Sequence, residues 1–322
     1  MRKLADILFL VRPPLLAASA TFFFAGALSS HRVASGHYSV ALMLGALPGL
    51  GIFLAIVALS FVVNQVFDIK SDAINRKNFI LPSQAVSRRE SFGFAGLLAA
   101  AIAVLCLGRG GEMRLLAGAG VVLGVAYSVP PLRLKAKPIA DLVVNTVGFG
   151  WIGFLMGWLA FGELGREALA RSSPYAIAMA AIFLNTCIPD EAGDRAAGDR
   201  TTCVVFGKRV TATAALVLLA GAAVAGVLLD ELVVVIAALG AVPAFISVAA
   251  DPNPANSVLA SQLAARILFV LLAVMAPLLA AVGVAAYVVS KIYYMKRFGI
   301  DYPRLTGASL EAPAGSDGKH LG

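Results

Sequence analysis

The stretch Asn64-Gln65-Val66-Phe67-Asp68-Ile69-Lys70-Ser71-Asp72 marks the point where a long apolar run turns polar. Asn64, Asp68 and Asp72 recur at every fourth residue, so on a helix their side chains lie along one face. Carboxylates at the edge of a membrane are costly unless a cation neutralises them. Two carboxylates and an amide oxygen form an oxygen-only ligand set, which suits Mg²⁺ shared with a phosphate-bearing ligand. Taken alone, the motif would fit a solvated helix end equally well.

A second pair of aspartates repeats this arrangement. Asp190 and Asp194 are four residues apart at the polar end of another apolar run, and each follows its counterpart, Asp68 or Asp72, by 122 residues. The repetition favours one shared metal–polyphosphate site. The equal offset predicts two four-span halves in the same orientation plus a ninth span, with both pairs at one mouth of the bundle. Basic residues follow both pairs: Arg76, Lys77, Arg88 and Arg89 after the first, and Arg195, Arg200, Lys208 and Arg209 after the second.

Composition indicates a membrane protein. Of the 322 residues, 60% are hydrophobic and 14% are charged, whereas soluble domains carry about 25% charged residues. The apolar runs approach the ~20 residues needed to cross a bilayer. We attribute the net charge of +8 to basic loops facing anionic lipid, and expect no nucleic-acid partner. Nine spans are predicted, near residues 14–30, 42–67, 92–108, 114–130, 139–161, 174–189, 209–228, 231–250 and 264–288.

The expected fold is therefore an all-α polytopic membrane protein whose nine transmembrane helices form a bundle. Residues 1–290 are predicted to form a single integral-membrane domain, and residues 291–322 a C-terminal tail that is disordered from about residue 301. Ser87 followed by Glu90 predicts a capping box that opens the third span. The three cysteines fit neither a disulfide framework nor a metal-ligand spacing.

The distribution of Lys and Arg predicts the orientation. The N-terminus, both aspartate motifs and the loop after residue 130 fall on one side, which holds 15 of these residues against 5 on the other. The positive-inside rule therefore places both motifs on the cytoplasmic side of an inner or plasma membrane of bacterial type. One feature disagrees, because nine spans would put the basic tail, with Lys291 and Lys296, on the opposite side.

A third segment on the same side contains Tyr127, Arg133 and Lys135. Pro130 and Pro131 should end the span and hold an extended loop. The two cations are then expected on one face of that loop, where they could bind phosphate oxygens. An ordinary positive-inside loop is the alternative.

These groups would bind a highly anionic ligand at the end of an apolar cavity, which fits a diphosphate attached to a long hydrocarbon. Mg²⁺ and the cations would stabilise charge on the departing diphosphate. A nucleophile would then attack the allylic carbon, in an interior that excludes water.

The motifs resemble those of the UbiA superfamily of intramembrane prenyltransferases over about residues 10–290. Asn64-x3-Asp68-x3-Asp72 is similar to the first aspartate-rich motif of that superfamily, and Asp190-x3-Asp194 to the second. The resemblance implies a nine-helix bundle, Mg²⁺, an isoprenyl diphosphate donor, and an aromatic or other hydrophobic acceptor that reaches the site from the lipid bilayer. Two positions depart from the pattern: many relatives have Asp where this chain has Gln65, and Asp199 replaces a basic or neutral residue.

The sequence thus predicts a prenyltransferase that needs Mg²⁺ but no other cofactor and no obligate protein partner. A membrane terpene cyclase of the same superfamily, which ionises the donor without an external acceptor, is the first alternative. A cation or anionic-substrate transporter is the second, although its acidic residues would be expected near the middle of spans. The predicted catalytic metal ligands are Asp68, Asp72, Asp190 and Asp194, with Asn64 as a further metal ligand. The predicted substrate-binding residues are Asn64, Arg76, Tyr127, Arg133 and Lys135.

Overall fold

The computed structural model describes residues 2–38, 40, 43–74 and 80–303, and no β-strand occurs among them. A π-helical turn, Thr146–Ile152, joins the sixth and seventh helices into one segment. Arg76 and the predicted disordered residues from 304 onward lie outside the described residues. The helices are α1 (Arg2–Phe9), α2 (Pro13–Ser35), α3 (Leu47–Ile74), α4 (Arg88–Cys106), α5 (Gly111–Ser128), α6 (Ala140–Asn145), α7 (Gly153–Trp158), α8 (Arg166–Cys187), α9 (Glu191–Ala196), α10 (Thr202–Phe206), α11 (Lys208–Leu228), α12 (Leu232–Ala250), α13 (Pro254–Met275) and α14 (Pro277–Phe298).

The all-helical membrane architecture is confirmed, but the count of nine spans is not. Eight helical segments of the described chain are long and apolar enough to cross a bilayer. α5 and α8 add 18 and 22 helical residues, with charged residues in their first turns. The stretch 264–288, predicted as one span, is instead divided between α13 and α14. The helices meet at Ala276, and Pro277, which has no N–H and clashes with the preceding turn, begins α14.

Local signals set several helix ends as expected. Ser87 accepts a hydrogen bond from the backbone N–H of Glu90, and the Glu90 side chain accepts one from the backbone N–H of Ser87, so the predicted capping box at α4 is confirmed. α5 ends at Ser128, two residues before Pro130, in agreement with the predicted break. Gly36, with φ of 80°, ends α2 in the left-handed conformation.

Small residues let the helices of the first half pack closely. A methyl group on Gly26 would overlap the carbonyl oxygen of Phe154, and one on Gly157 would overlap the carbonyl oxygen of Phe23. α2 and α7 therefore approach backbone to backbone, as small residues allow in membrane bundles. A second, alanine-rich core joins α8, α11, α12 and α13.

Buried charge fastens the end of the bundle that lies away from the aspartate motifs. The carboxylate of Glu231, which opens α12 and is 1% exposed, accepts hydrogen bonds from Ser29 at 2.6 Å, Arg171 at 2.9 Å and Tyr175 at 3.1 Å. Arg32 contacts the same carboxylate at 3.2 Å. Because these four side chains all contact one buried carboxylate, the network holds α2, α8 and α12 together at this far end.

The two terminal helices meet at the opposite end, which we call the site end because Asp68 and Asp72 lie there. Buried Asp6 in α1 accepts hydrogen bonds from Tyr293 at 2.7 Å and from Arg297 at 3.0 Å. The end of α14 is therefore at the same end of the bundle as α1. The nine predicted spans put the basic tail on the side opposite to the other basic loops, because α13 and α14 were counted as one span. The division into two four-helix repeats stays a prediction.

Candidate active site

The last turns of α3 carry the first aspartate motif. Asp68 and Asp72 are 8% and 9% exposed, so both carboxylates are largely removed from water. The Asn64 amide nitrogen donates to Asp68 Oδ2 at 2.7 Å and to the Ser128 hydroxyl at 3.2 Å. Asn64 therefore orients Asp68 and ties the motif to the end of α5. That Asn64 also binds the metal, through its side-chain carbonyl oxygen, stays a prediction.

Gln65, where many relatives have Asp, makes hydrogen bonds inside the bundle. The side chain is 1% exposed, and its nitrogen donates to the carbonyl oxygens of Leu10 at 2.6 Å and Phe61 at 3.0 Å. One residue after Asn64, it points about 100° around the helix from the motif. Through these two hydrogen bonds Gln65 connects α3 to the turn between α1 and α2.

The second motif surrounds the short helix α9. Asp190 precedes its first turn, and the Asp194 N–H donates to the Asp190 carbonyl oxygen at 2.9 Å. Both side chains are partly buried, and all four motif aspartates make interactions. Helix α9 contacts α3, so the two motifs, 122 residues apart in sequence, lie together at the site end.

The loop after α5 bridges the two motifs. Its backbone is not extended throughout as expected, because Arg133 has φ of 36° and Leu134–Ala136 form a 3-10 turn. The two cations consequently reach different partners. The Lys135 ammonium forms a close, nine-tenths buried ion pair with Asp68, while Arg133 pairs with Asp199 through two contacts of 3.0 Å. Burial lowers the pKa of Lys135 to about 8, against the opposing effects of Asp199 and Asp194.

Tyr127 is half-buried near the end of α5 and interacts with the side chain of Asn145 in α6. The structure thus brings Tyr127, Lys135 and the aspartates to one end of the bundle. Arg133 is at the same end but faces Asp199. The roles assigned to all of them, and to Arg76, stay predictions.

The sequence reasoning missed Asp141, in the first turn of α6. Its buried carboxylate accepts hydrogen bonds from the backbone N–H of Thr202 at 2.8 Å, from the Thr202 hydroxyl, and from the backbone N–H of Leu142 at 2.8 Å. The Thr202 hydroxyl is also 2.8 Å from the backbone N–H of Ile139. Asp141 thereby clamps the loop after α5 against the loop after α9. An ionisable residue just inside an apolar span was the available signal.

The chemistry of the donor set fits Mg²⁺. The four aspartates and Asn64 offer hard oxygen ligands, with neither sulfur nor imidazole among them. Within the described part of the chain, no three His, Cys, Asp or Glu side chains are arranged to hold an ion alone. Proteins commonly bind Mg²⁺ through one or two carboxylates together with substrate phosphate oxygens. The aspartate pairs therefore suit a metal completed by diphosphate.

Residues 18–252 match the UbiA prenyltransferase family. The chain is 28% identical over 166 residues to the bacteriochlorophyll synthase 34 kDa chain of Chloroflexus aurantiacus, covering 51% of this chain and 54% of that protein. It is 30% identical over 167 residues to homogentisate phytyltransferase of Synechocystis, covering 49% and 54%. It is 32% identical over 184 residues to digeranylgeranylglyceryl phosphate synthase of Methanoregula boonei, covering 53% and 60%. The chain thus spans a little over half the length of these relatives.

The fold is also similar to that of a UbiA homologue from Archaeoglobus fulgidus solved with GPP and Mg²⁺. The TM-score is 0.63 at 17% identity, covering 87% of this chain and 99% of that one. A solved structure of digeranylgeranylglyceryl phosphate synthase gives a TM-score of 0.61 at 19% identity, covering 89% and 99%. With a family match over most of its length and the same helical architecture, this multi-pass membrane protein belongs to the UbiA prenyltransferase family.

Proposed function

We propose that this chain transfers a prenyl group from an isoprenyl diphosphate to an acceptor within the membrane, in a reaction that depends on Mg²⁺. The observation that carries the proposal is the contact between α3 and α9, which brings two aspartate pairs to one end of an apolar bundle. Lys135, buried beside Asp68, adds a cation at the same place. A diphosphate with a hydrocarbon tail matches both the charged end and the apolar interior.

The proposed reaction breaks the bond between the allylic carbon and the diphosphate oxygen, and the electron pair leaves with the diphosphate. An acceptor nucleophile then forms the new bond to that carbon and loses a proton. Asp68, Asp72, Asp190 and Asp194 would hold Mg²⁺, which would neutralise charge on the leaving group. The Lys135 ammonium would add a charge-assisted hydrogen bond to a diphosphate oxygen. The apolar core of the bundle would keep water from the allylic carbon.

We propose an aromatic or quinone-precursor acceptor. The relatives differ in this respect. The Synechocystis enzyme is named for homogentisate and a Humulus lupulus enzyme for a phloroglucinol, whereas the Methanoregula boonei enzyme is named for a lipid product, digeranylgeranylglyceryl phosphate. The first two acceptors are aromatic rings, which supports the proposal. We also propose that the site end faces the cytoplasm of a bacterial-type inner membrane, because the basic loops and the basic end of α14 share that end.

The test incubates the purified protein and Mg²⁺ with labelled geranyl, farnesyl, geranylgeranyl and phytyl diphosphates against a panel of aromatic and glyceryl phosphate acceptors. We expect a prenylated acceptor that disappears with EDTA. Asp72→Asn and Asp190→Asn should each lower turnover by more than about tenfold, because even the loss of a group that supports a metal ligand costs about 10–100-fold. Asp251→Asn, in the exposed α12–α13 loop, is the matched control.

Two results would contradict the proposal. Full turnover in either site variant would show that the aspartates are not needed for the reaction. A hydrocarbon formed from the donor alone would identify a cyclase.

A further inference from the structure

The ion pair between Arg133 and Asp199 joins the loop after α5 to the loop after α9. Arg133 Nη2 contacts Asp199 Oδ2 and Arg133 Nη1 contacts Asp199 Oδ1, both at 3.0 Å. This two-point geometry matches the planar guanidinium to the carboxylate and fixes orientation as well as distance. The Asp199 side chain is only 7% exposed, whereas that of Arg133 is 35% exposed. Asp199 is therefore the member of the pair that depends most on its partner.

Further contacts fasten the same two loops. The Arg200 N–H donates to the carbonyl oxygen of Ala136 at 3.1 Å, and Thr202 contacts both Ile139 and Asp141. The segments 133–141 and 199–202 consequently form one unit, anchored to the second aspartate motif through α9. We call this unit the loop bridge.

The loop bridge also sets the place of Lys135. Lys135 is two residues after Arg133, and its ammonium reaches across to Asp68 in the first motif. Arg133 holds a positive φ of 36°, a conformation that a non-glycine residue keeps only when its surroundings enforce it. In this conformation the Arg133 guanidinium meets Asp199.

We propose that Asp199 is a positioning residue, which acts through Arg133 to hold the loop bridge so that the Lys135 ammonium meets the diphosphate beside Asp68. In this assignment, which rests on the proposed function, Arg133 supports the loop bridge without contacting the diphosphate. Lys135 is the cation of this loop that binds the diphosphate. Turning Arg133 toward the diphosphate would leave the Asp199 carboxylate buried without its counter-ion, which is costly.

The test is a double-mutant cycle in the full-length protein. The variants are Arg133→Gln, Asp199→Asn, both together, and the reversed pair Arg133→Asp with Asp199→Arg. Aspartate adopts positive φ more readily than most residues, so the reversed pair adds no backbone strain at position 133. Thermal unfolding reports whether the two side chains are coupled. Calorimetric titration with inorganic pyrophosphate and Mg²⁺ reports whether the pair acts on the site. Lys3→Gln, which loses an exposed ion pair with Glu90 at 2.7 Å, is the matched control.

We expect each single variant to weaken pyrophosphate binding about tenfold, the neutral double variant to be no weaker than either single one, and the reversed pair to return within about threefold of the wild type. In a Lys135→Gln background, Asp199→Asn should have no further effect on pyrophosphate binding. A purely structural role for Asp199 would not produce that result.

Two outcomes overturn different statements. If Arg133→Gln weakens pyrophosphate binding while Asp199→Asn leaves it unchanged or strengthens it, Arg133 binds the pyrophosphate directly and its assignment as a support of the loop bridge is wrong. If the wild type does not bind pyrophosphate with Mg²⁺, the proposed function fails, and the positioning of Lys135 fails with it.

Discussion

Replacing Asp141 by alanine should open the loop bridge without touching any proposed metal ligand. The carboxylate accepts hydrogen bonds from the backbone N–H of Thr202 at 2.8 Å and from the Thr202 hydroxyl. Each buried donor left without an acceptor costs about 1–3 kcal/mol. For these two donors, Asp141→Ala should lower the free energy of local opening by about 2–6 kcal/mol.

Cys203 provides the assay, because it follows Thr202 directly and is 0% exposed. In a background with Cys106→Ala and Cys187→Ala, a maleimide dye can label Cys203 only after the loop bridge opens. When opening and closing are fast, the labelling rate follows the population of the open form. Each 1.4 kcal/mol is then tenfold, so even the lower bound of 2 kcal/mol predicts labelling about 30-fold faster in Asp141→Ala.

Two further variants make the result specific. Asp141→Asn keeps one side-chain oxygen acceptor and should fall between the wild type and Asp141→Ala. Asp251→Ala, in an exposed loop far along the chain, should label at the wild-type rate. Wild-type labelling of Cys203 in Asp141→Ala would refute the clamp, whatever the activity of the protein.

Two other predictions concern the packing of the bundle. Gly157→Ala should destabilise the protein by about 1–3 kcal/mol, because the methyl group would overlap a carbonyl oxygen of α2. Gly96→Ala, with open space around its added methyl group, should be neutral or stabilising in the same thermal scan. Equal melting temperatures for the two variants would contradict the close approach of α2 and α7. Asp6→Ala removes the buried partner of Arg297, so tryptic cleavage after Arg297 should become faster in detergent, and an unchanged cleavage rate would show that Asp6 does not hold α14.

The features predicted correctly from the sequence are those with local or periodic signals. Fourfold spacing placed Asn64 and Asp68 in hydrogen-bonding contact on α3, and the Ser87–Glu90 pair gave the start of α4. The break between α13 and α14 also had a local signal, Pro277, but a proline alone does not show that a membrane helix ends there. Pro174 and Pro243 lie inside α8 and α12 without ending them, as membrane helices allow.

What the sequence could not reveal depends on partners far apart in the chain. Arg133 and Asp199 are 66 residues apart, and Thr202 and Asp141 are 61 apart. No periodicity reports such pairs, since they arise only after α5, α6 and α9 have packed. Gln65 shows the same limit, because its partner Leu10 is 55 residues away.

The docking of α1 on α14 has a topological consequence. As the first and last helices share one rim through Asp6 and Arg297, a flexible tether joining them could stay in a single aqueous compartment and need not thread the bilayer. The topology therefore permits circular permutation of this bundle. The new ends would be placed in a connection at the opposite rim, such as the one between α4 and α5.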